Sequence, residues 1–114
     1  MRKSITHIMQ LRIRPMVRPD CISANGRTFI YIEITLRGKL LRKRTYISLQ
    51  NKKNFNQKRW AIKPTEPDHR HKQALLGKLL AKVELQALQL MDRNIPLSHE
   101  ALFAAMEPAK TELL

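Results

Sequence analysis

The chain has 114 residues, of which 43% are hydrophobic and 27% charged, so it can form one globular domain but is too short for a two-domain enzyme. Its 22 lysines and arginines outnumber 9 acidic residues and give a formal charge of +13, which favours a polyanionic partner. The single cysteine excludes an internal disulfide, and no stretch approaches the roughly 18 consecutive apolar residues of a membrane span, so we expect a cytoplasmic location and no membrane partner.

The positive charge is concentrated in the first half of the chain. Residues 1–63 contain 16 lysines and arginines against two acids, whereas residues 64–114 contain 6 against 7. A generally solvated basic surface would show cations throughout. The distribution therefore assigns the charge to one substructure and gives the second half a packing role.

Three segments of the first half alternate between apolar and polar residues with the period of a β-strand. The segments start near Ile5, near residue 28 and near residue 41, and they predict a sheet over about residues 5–50. Asn25-Gly26 and Arg37-Gly38 are turn dipeptides, so we predict an antiparallel meander. The expected inward residues are Ile5, His7, Met9, Leu11, Ile13, Thr28, Ile30, Ile32, Ile34, Leu36, Leu41, Lys43, Thr45, Ile47 and Leu49.

A leucine-rich helix is predicted over about residues 66–93, where it would cover the apolar face of the sheet. Thr65 and Asp68 fit a capping box at its start, and Asn94 can take the left-handed conformation at its end, with Pro96 beyond it. The expected apolar stripe consists of Leu75, Leu76, Leu79, Leu80, Val83, Ala87, Leu90 and Met91.

A short second helix is predicted between Ser98, as its N-cap, and Pro108, with Leu97 and Leu102 placed as a hydrophobic staple. The fold class that follows is α+β: a three-stranded antiparallel sheet packed on a long C-terminal helix, plus a short second helix.

Catalytic and metal-binding patterns receive no support. Asp68, His69 and His71 lie together, but residues two apart on a helix point in different directions and do not form a ligand pair. Cys21 lies in a polar loop without a neighbouring base. Because phosphate-binding loops and nucleophile motifs are also lacking, we expect no catalysis, no metal and no cofactor.

The outward residues of the predicted strands combine cations with hydroxyl groups and only one acid, Glu33. Guanidinium, amide and hydroxyl groups are the side chains that contact phosphates and base edges. We therefore predict a DNA-binding surface, whereas Phe55 and Trp60 are interpreted as anchors that hold the following segment to the core. The predicted DNA-binding residues are Arg12, Arg14, Tyr31, Glu33, Thr35, Arg37, Lys39, Arg42, Lys43, Arg44, Tyr46, Lys52 and Lys53.

The order of these features resembles the N-terminal arm DNA-binding domain of tyrosine recombinases, with the integrases of Bacteroidetes mobile elements and phages as the most similar type. The resemblance covers about residues 5–106 and is carried by the meander YIEITLRGKLLRKRTYISL, the basic segment from Phe55 to Trp60, the leucine-rich helix and the short S-x-E helix.

The resemblance implies that residues 1–95 form a domain that binds arm-type sites on double-stranded DNA through its sheet. Residues 96–114 would then be a short helix and a linker toward a catalytic core, and because the chain ends at Leu114 we expect a separate domain or a truncated protein. It also implies a bacterial, nucleoid-associated protein that performs no chemistry, takes no small-molecule substrate and meets other recombinase protomers as partners.

Two further functions remain open from the residues alone. One is binding of RNA, for which small basic α/β domains are also used. The other is a protein-interaction adaptor, which is favoured by Leu85 and Leu88 because they fall outside the main stripe of the predicted helix.

Overall fold

A computed structural model of the chain describes residues 11–18 and 26–106. The three long strands are β1 (Leu11–Val17), β2 (Thr28–Leu36) and β3 (Lys39–Leu49), and a 3-10 turn (Lys52–Asn54) follows them. A small hairpin of β4 (Phe55–Asn56) and β5 (Ala61–Ile62) precedes helix α1 (His69–Asp92) and helix α2 (His99–Ala104). The predicted strand residues 5–10, Asn25 and Pro108 lie outside the described residues.

The three long strands form an antiparallel sheet in the order β1-β2-β3, which confirms the predicted meander and the α+β class. The inward parity is confirmed for β2, where Ile30, Ile32 and Ile34 are completely buried, but the predicted inward residue Leu41 at the start of β3 is 40% exposed. The β2–β3 turn has Arg37 at φ 51° and Gly38 at φ 84°. A two-residue turn with both φ values positive matches the twist of the strands and fixes their register.

One irregularity interrupts the pairing of β2 with β3. Phe29 pairs with Ser48 and Tyr31 pairs with Arg44, so Ile30 alone faces three residues of β3. The Thr45 hydroxyl donates to the Ile30 carbonyl at 2.6 Å and accepts from the Ile47 amide at 3.0 Å. The hydroxyl thereby satisfies backbone groups that the bulge leaves without a partner strand bond. The residues of β3 before and after the bulge keep the same inward parity.

Helix α1 covers the inner face of the sheet with Leu76, Val83 and Ala87, which are all buried. Leu79, Leu80, Leu90 and Met91 pack at the margin of this contact. Leu75 was predicted in the stripe, but it is 38% exposed because its position on the helix turns it away from the sheet.

Helix α2 closes the end of the core. The Ser98 hydroxyl accepts from the Ala101 amide at 3.1 Å, and Leu97 and Leu102 are buried as the predicted staple. Arg37 donates to the Leu97 carbonyl at 3.3 Å, and a ring nitrogen of His99 lies 2.9 Å from the Lys39 carbonyl. The short helix is therefore fixed to the β2–β3 turn.

The two ends of α1 differ in how well they were predicted. At its end, Asn94 has φ 58°, and the Ile95 and Asn94 amides donate to the Leu90 and Met91 carbonyls, which is the Schellman arrangement that the sequence favoured. At its start the predicted capping box is wrong: Asp68 has φ 57° and makes no side-chain cap bond.

The predicted start at residue 66 fails for two physical reasons. Glu66 precedes Pro67, which disfavours helical backbone at Glu66. The Thr65 hydroxyl also donates to the Asn54 side chain at 2.7 Å, which directs it toward the 3-10 turn. The helix consequently begins at His69.

Glu66 is buried where the end of β3, the 3-10 turn and α1 meet. Its carboxylate accepts from the Lys72 ammonium at 2.7 Å, from the Asn54 side-chain amide at 2.7 Å and from the Gln50 backbone amide at 3.0 Å. Burial by itself raises the pKa of Glu66, but the hydrogen bonds from Lys72, Asn54 and Gln50 outweigh it and hold the pKa below its ordinary value.

We predict that Glu66 makes the domain less stable in acid. Because its pKa is lowered in the folded state, its contribution is complete above the ordinary value of 4.5 and is lost as the pH falls through the lower folded pKa. Glu66→Gln should cost about 3 kcal/mol at pH 7, since Lys72 then loses its buried partner, and it should flatten the dependence of stability on pH.

Urea unfolding of both proteins between neutral pH and about pH 3 measures this effect. Glu84→Gln, at an exposed position of α1, is the matched control and should keep the wild-type dependence. An unchanged dependence in Glu66→Gln would contradict the assignment.

Candidate nucleic-acid interface

The outer face of the sheet is the face directed away from α1. Strand register arranges its residues in three rows that run from β1 to β3: Arg12–Thr35–Leu40, Arg14–Glu33–Arg42 and Met16–Tyr31–Arg44. Side chains in one row are direct cross-strand neighbours and can interact. The register therefore places Arg14 and Arg42, which lie 28 positions apart in the chain, on the two sides of Glu33.

The central row is an ion-pair cluster. Arg14 Nε donates to Glu33 Oε1 at 2.5 Å, and Arg42 Nε donates to Glu33 Oε2 at 3.0 Å. Only 2% of the Glu33 side chain is exposed, whereas 37% of Arg14 and 36% of Arg42 remain so. The carboxylate thus lies beneath two guanidinium groups that face solvent.

The two arginines of this cluster stabilise the negative charge of Glu33. Burial raises the pKa of Glu33. Hydrogen bonds and electrostatic attraction, first from Arg14 and then from Arg42, lower it by more than burial raises it, so the pKa lies below its ordinary value. Glu33 is therefore ionised at neutral pH and the cluster keeps a charge of +1. Because one carboxylate oxygen accepts from the Nε of each arginine, both guanidinium groups are restricted in orientation before any partner arrives.

Aromatic rings orient two further arginines. The Arg44 guanidinium lies 4.7 Å from the centre of the Phe29 ring, and the Arg18 guanidinium lies 5.6 Å from the centre of the Tyr31 ring. Stacking of this kind restricts a guanidinium without neutralising its charge. Phe29 and Arg18 were missed by the prediction, although Phe29 lies on the outward parity of β2.

Tyr46 projects from the bulge of β3 and is 72% exposed. Its neighbours Thr45 and Ile47 are both buried, so the bulge presents Tyr46 alone to solvent on the outer side. Thr35 lies half-buried in the first row, between Arg12 and Leu40.

Several other predicted residues lie away from the outer face. Lys39 and Lys43 share the inward parity of β3, and Lys43 lines a shallow groove beside Glu100 and Phe103 of α2. Alternation along β3 places these two lysines on the opposite parity from Arg42 and Arg44, although Arg42 also lines the groove beside Lys43.

The remaining predicted cations lie at the two ends of the strands. Arg37 is in the β2–β3 turn, whereas Lys52 and Lys53 form the exposed 3-10 turn beyond the other end of β3. The Asn51 side chain accepts from the Lys53 amide at 2.9 Å and fixes this turn.

The β4–β5 hairpin corrects one prediction and adds candidate residues. Phe55 is buried as expected of an anchor, but Trp60 is 40% exposed at φ 54° and does not enter the core. Lys58 and Arg59 precede it in the exposed tip of the hairpin. Gln57 donates to the Pro15 carbonyl at 2.8 Å, so these cations lie beside β1, a position that only tertiary contacts could reveal.

Residues 11–18 and 26–106 contain no cluster of three or more His, Cys, Asp or Glu side chains that could hold a metal ion. Across the same ranges, no helix combines the length and the apolar character that a membrane crossing requires.

Comparisons with protein-family models, with curated proteins and with solved structures find no significant match to this chain. The geometry and the charge of the outer face are therefore the features that bear on function.

We predict that Glu33 stabilises the sheet through its two arginines. Glu33→Gln leaves Arg14 and Arg42 side by side with only a neutral partner, and since both are partly exposed to screening solvent the expected loss is about 1–3 kcal/mol. Urea unfolding at neutral pH measures it. Thr35→Val, one row away, is the control and should change stability by no more than about 0.5 kcal/mol; equal effects of both variants would contradict the coupling.

Proposed function

We propose that the outer face of the sheet binds double-stranded DNA in the major groove. The observation that carries this proposal is the row Arg14–Glu33–Arg42, in which a buried carboxylate orients two exposed guanidinium groups. A guanidinium fork matches the paired acceptors of guanine, and prior orientation reduces the entropy that binding would otherwise cost. Arg44, held on Phe29, supplies a third oriented group.

The dimensions of the sheet agree with such a groove. Neighbouring strands lie about 4.8 Å apart, so the axes of β1 and β3 are separated by about 10 Å, compared with a major groove about 12 Å wide. Glu33 is the only acid in β1, β2 and β3, and it is already neutralised by its partners. The face therefore offers a phosphate backbone little repulsion.

The cations divide into two groups under this proposal. Arg14, Arg42 and Arg44 lie centrally and contact base edges. Arg37 at one end of the strands, Lys52 and Lys53 at the other and the hairpin tip beside β1 contact phosphates, which fixes the register of the sheet without reading sequence.

The same proposal makes the chain the arm-binding module of a tyrosine recombinase, acting at the bacterial nucleoid without chemistry of its own. The order of sheet, Phe55–Trp60 segment, long helix and short helix in the structure is the order that the resemblance implies, and it supports this assignment.

We predict that loss of sheet arginines weakens DNA binding and loss of helix lysines does not. Arg42→Ala and Arg44→Ala should each cost about 1–3 kcal/mol against the preferred sequence. Lys78→Ala and Lys82→Ala, at exposed positions of α1, remove equal charge from the opposite side and should have little effect. Fluorescence-anisotropy titration of a library-selected duplex measures all four, with urea unfolding to confirm that each variant is folded.

The conservative variants Arg42→Lys and Arg44→Lys separate charge from shape. They keep the cation but lose the fork, so they should reduce the preference for the selected sequence over random DNA. Equal losses from the sheet and helix variants would refute the sheet-in-groove model, and tighter binding to structured RNA than to any duplex would favour the RNA alternative.

We also predict a steep dependence of binding on salt. If about five to eight cations contact phosphates, log K should fall against log salt with a slope of about −4 to −7. The double variant Lys52→Ala, Lys53→Ala should reduce the steepness of the slope by up to about two units and leave sequence preference intact. Arg44→Lys keeps its charge, so it should leave the slope unchanged and reduce sequence preference. A slope near zero would show that phosphates are not engaged, and the adaptor function would then be favoured.

A further inference from the structure

A second apolar face runs along α1 on the side directed away from the sheet. Leu85 and Leu88 are 53% and 45% exposed there, although both are large hydrophobic residues. Small residues occupy the remaining turns of this face, and one charged residue lies at each end. We call this exposed set the outer stripe: Arg70, Ala74, Gly77, Ala81, Leu85, Leu88 and Asp92.

The outer stripe is symmetric about Ala81. Its members occur 4, 7 and 11 positions before Ala81 and the same numbers of positions after it. Steps of three and four residues keep all seven on one side of a helix. A two-fold rotation about an axis that passes through Ala81, perpendicular to the helix, reverses the order of the stripe.

Reversal brings Ala81 opposite its own copy and pairs unlike residues at every other level of the stripe. Ala74 comes opposite Leu88, and Gly77 comes opposite Leu85, so a small residue meets a large one each time. At the ends, Arg70 comes opposite Asp92. Both charged residues are exposed, and neither forms an ion pair with another residue in the described ranges.

We propose that the outer stripe is a dimerisation surface, on which α1 of a second copy of this chain packs antiparallel with Ala81 at the two-fold axis. Such an interface is self-complementary in both size and charge, as a two-fold contact must be. Small residues at the centre allow the helix axes to approach to the short end of the usual 8–10 Å. An unrelated partner would not require symmetry about one residue.

The dimer leaves the outer faces of both sheets free, because each α1 lies between its own sheet and the two-fold axis. If the proposed function holds, the pair would carry two DNA segments on opposite sides. The dimer itself does not depend on that function, and its test contains no DNA.

Charge reversal gives the decisive experiment. Sedimentation equilibrium of the full chain, from about 10 µM to about 1 mM, should show a monomer–dimer equilibrium. Arg70→Asp or Asp92→Arg replaces two attractions with two repulsions and should weaken the dimer roughly tenfold. The double variant Arg70→Asp, Asp92→Arg restores opposite charges across the axis and should recover the wild-type constant. A monomer at all concentrations, or a double variant no better than the single ones, would overturn the proposal.

Cross-linking locates the axis. In a Cys21→Ser background, Ala81→Cys should form a disulfide-linked dimer under mild oxidation, because the two Ala81 positions come within bonding range. Lys82→Cys, one residue further and also exposed, is the matched control and should cross-link at least tenfold more slowly. Equal rates would contradict an axis at Ala81. Gly77→Leu, where an added Cβ meets no neighbour within the domain, should remain folded and lose the dimer, and a dimer of unchanged strength would count equally against the proposal.

Discussion

Ile30, Ile32 and Ile34 of the central strand are completely buried in the core that the sheet shares with α1, and the composition of the outer face depends on that burial. A β-strand presents alternate residues to opposite faces, so covering the isoleucines leaves Tyr31, Glu33 and Thr35 on the other face. Each fully buried isoleucine contributes about 1.5–3 kcal/mol. A register shift by one residue would exchange the two faces and lose this stabilisation, which is why the outer face has a defined composition.

The arginines of the outer face repel one another, and this repulsion has to be compensated within the domain. Glu33 does so from below the surface, with both carboxylate oxygens engaged by Arg14 and Arg42 and almost no exposure of its own. The aromatic rings of Phe29 and Tyr31 act in a similar way on Arg44 and Arg18 without adding negative charge. The result is a set of cations that are held in place and still carry a net positive charge, which suits recognition of an anion.

Helix α1 has two faces with different physical roles. Leu76, Val83 and Ala87 are buried against the sheet, whereas the outer stripe exposes Leu85 and Leu88 on the far side. The first face belongs to the core of the domain. The second face lies outside that core, and its reverse symmetry is the basis of the proposed contact with a second copy.

The sequence alone determined the features that depend on local chemistry. Alternation of apolar residues identified the strands and their buried parity, Arg37-Gly38 identified the turn, and Asn94 and Ser98 identified two helix ends, because neighbouring residues decide each of these. Tertiary structure alone decided the rest. The bulge at Thr45 and the burial of Glu66 result from contacts between distant segments. Strand register joins Arg14 to Arg42 through Glu33 and places Lys43 on the opposite parity. Packing leaves Trp60 exposed. Register and packing set distances that no local pattern encodes.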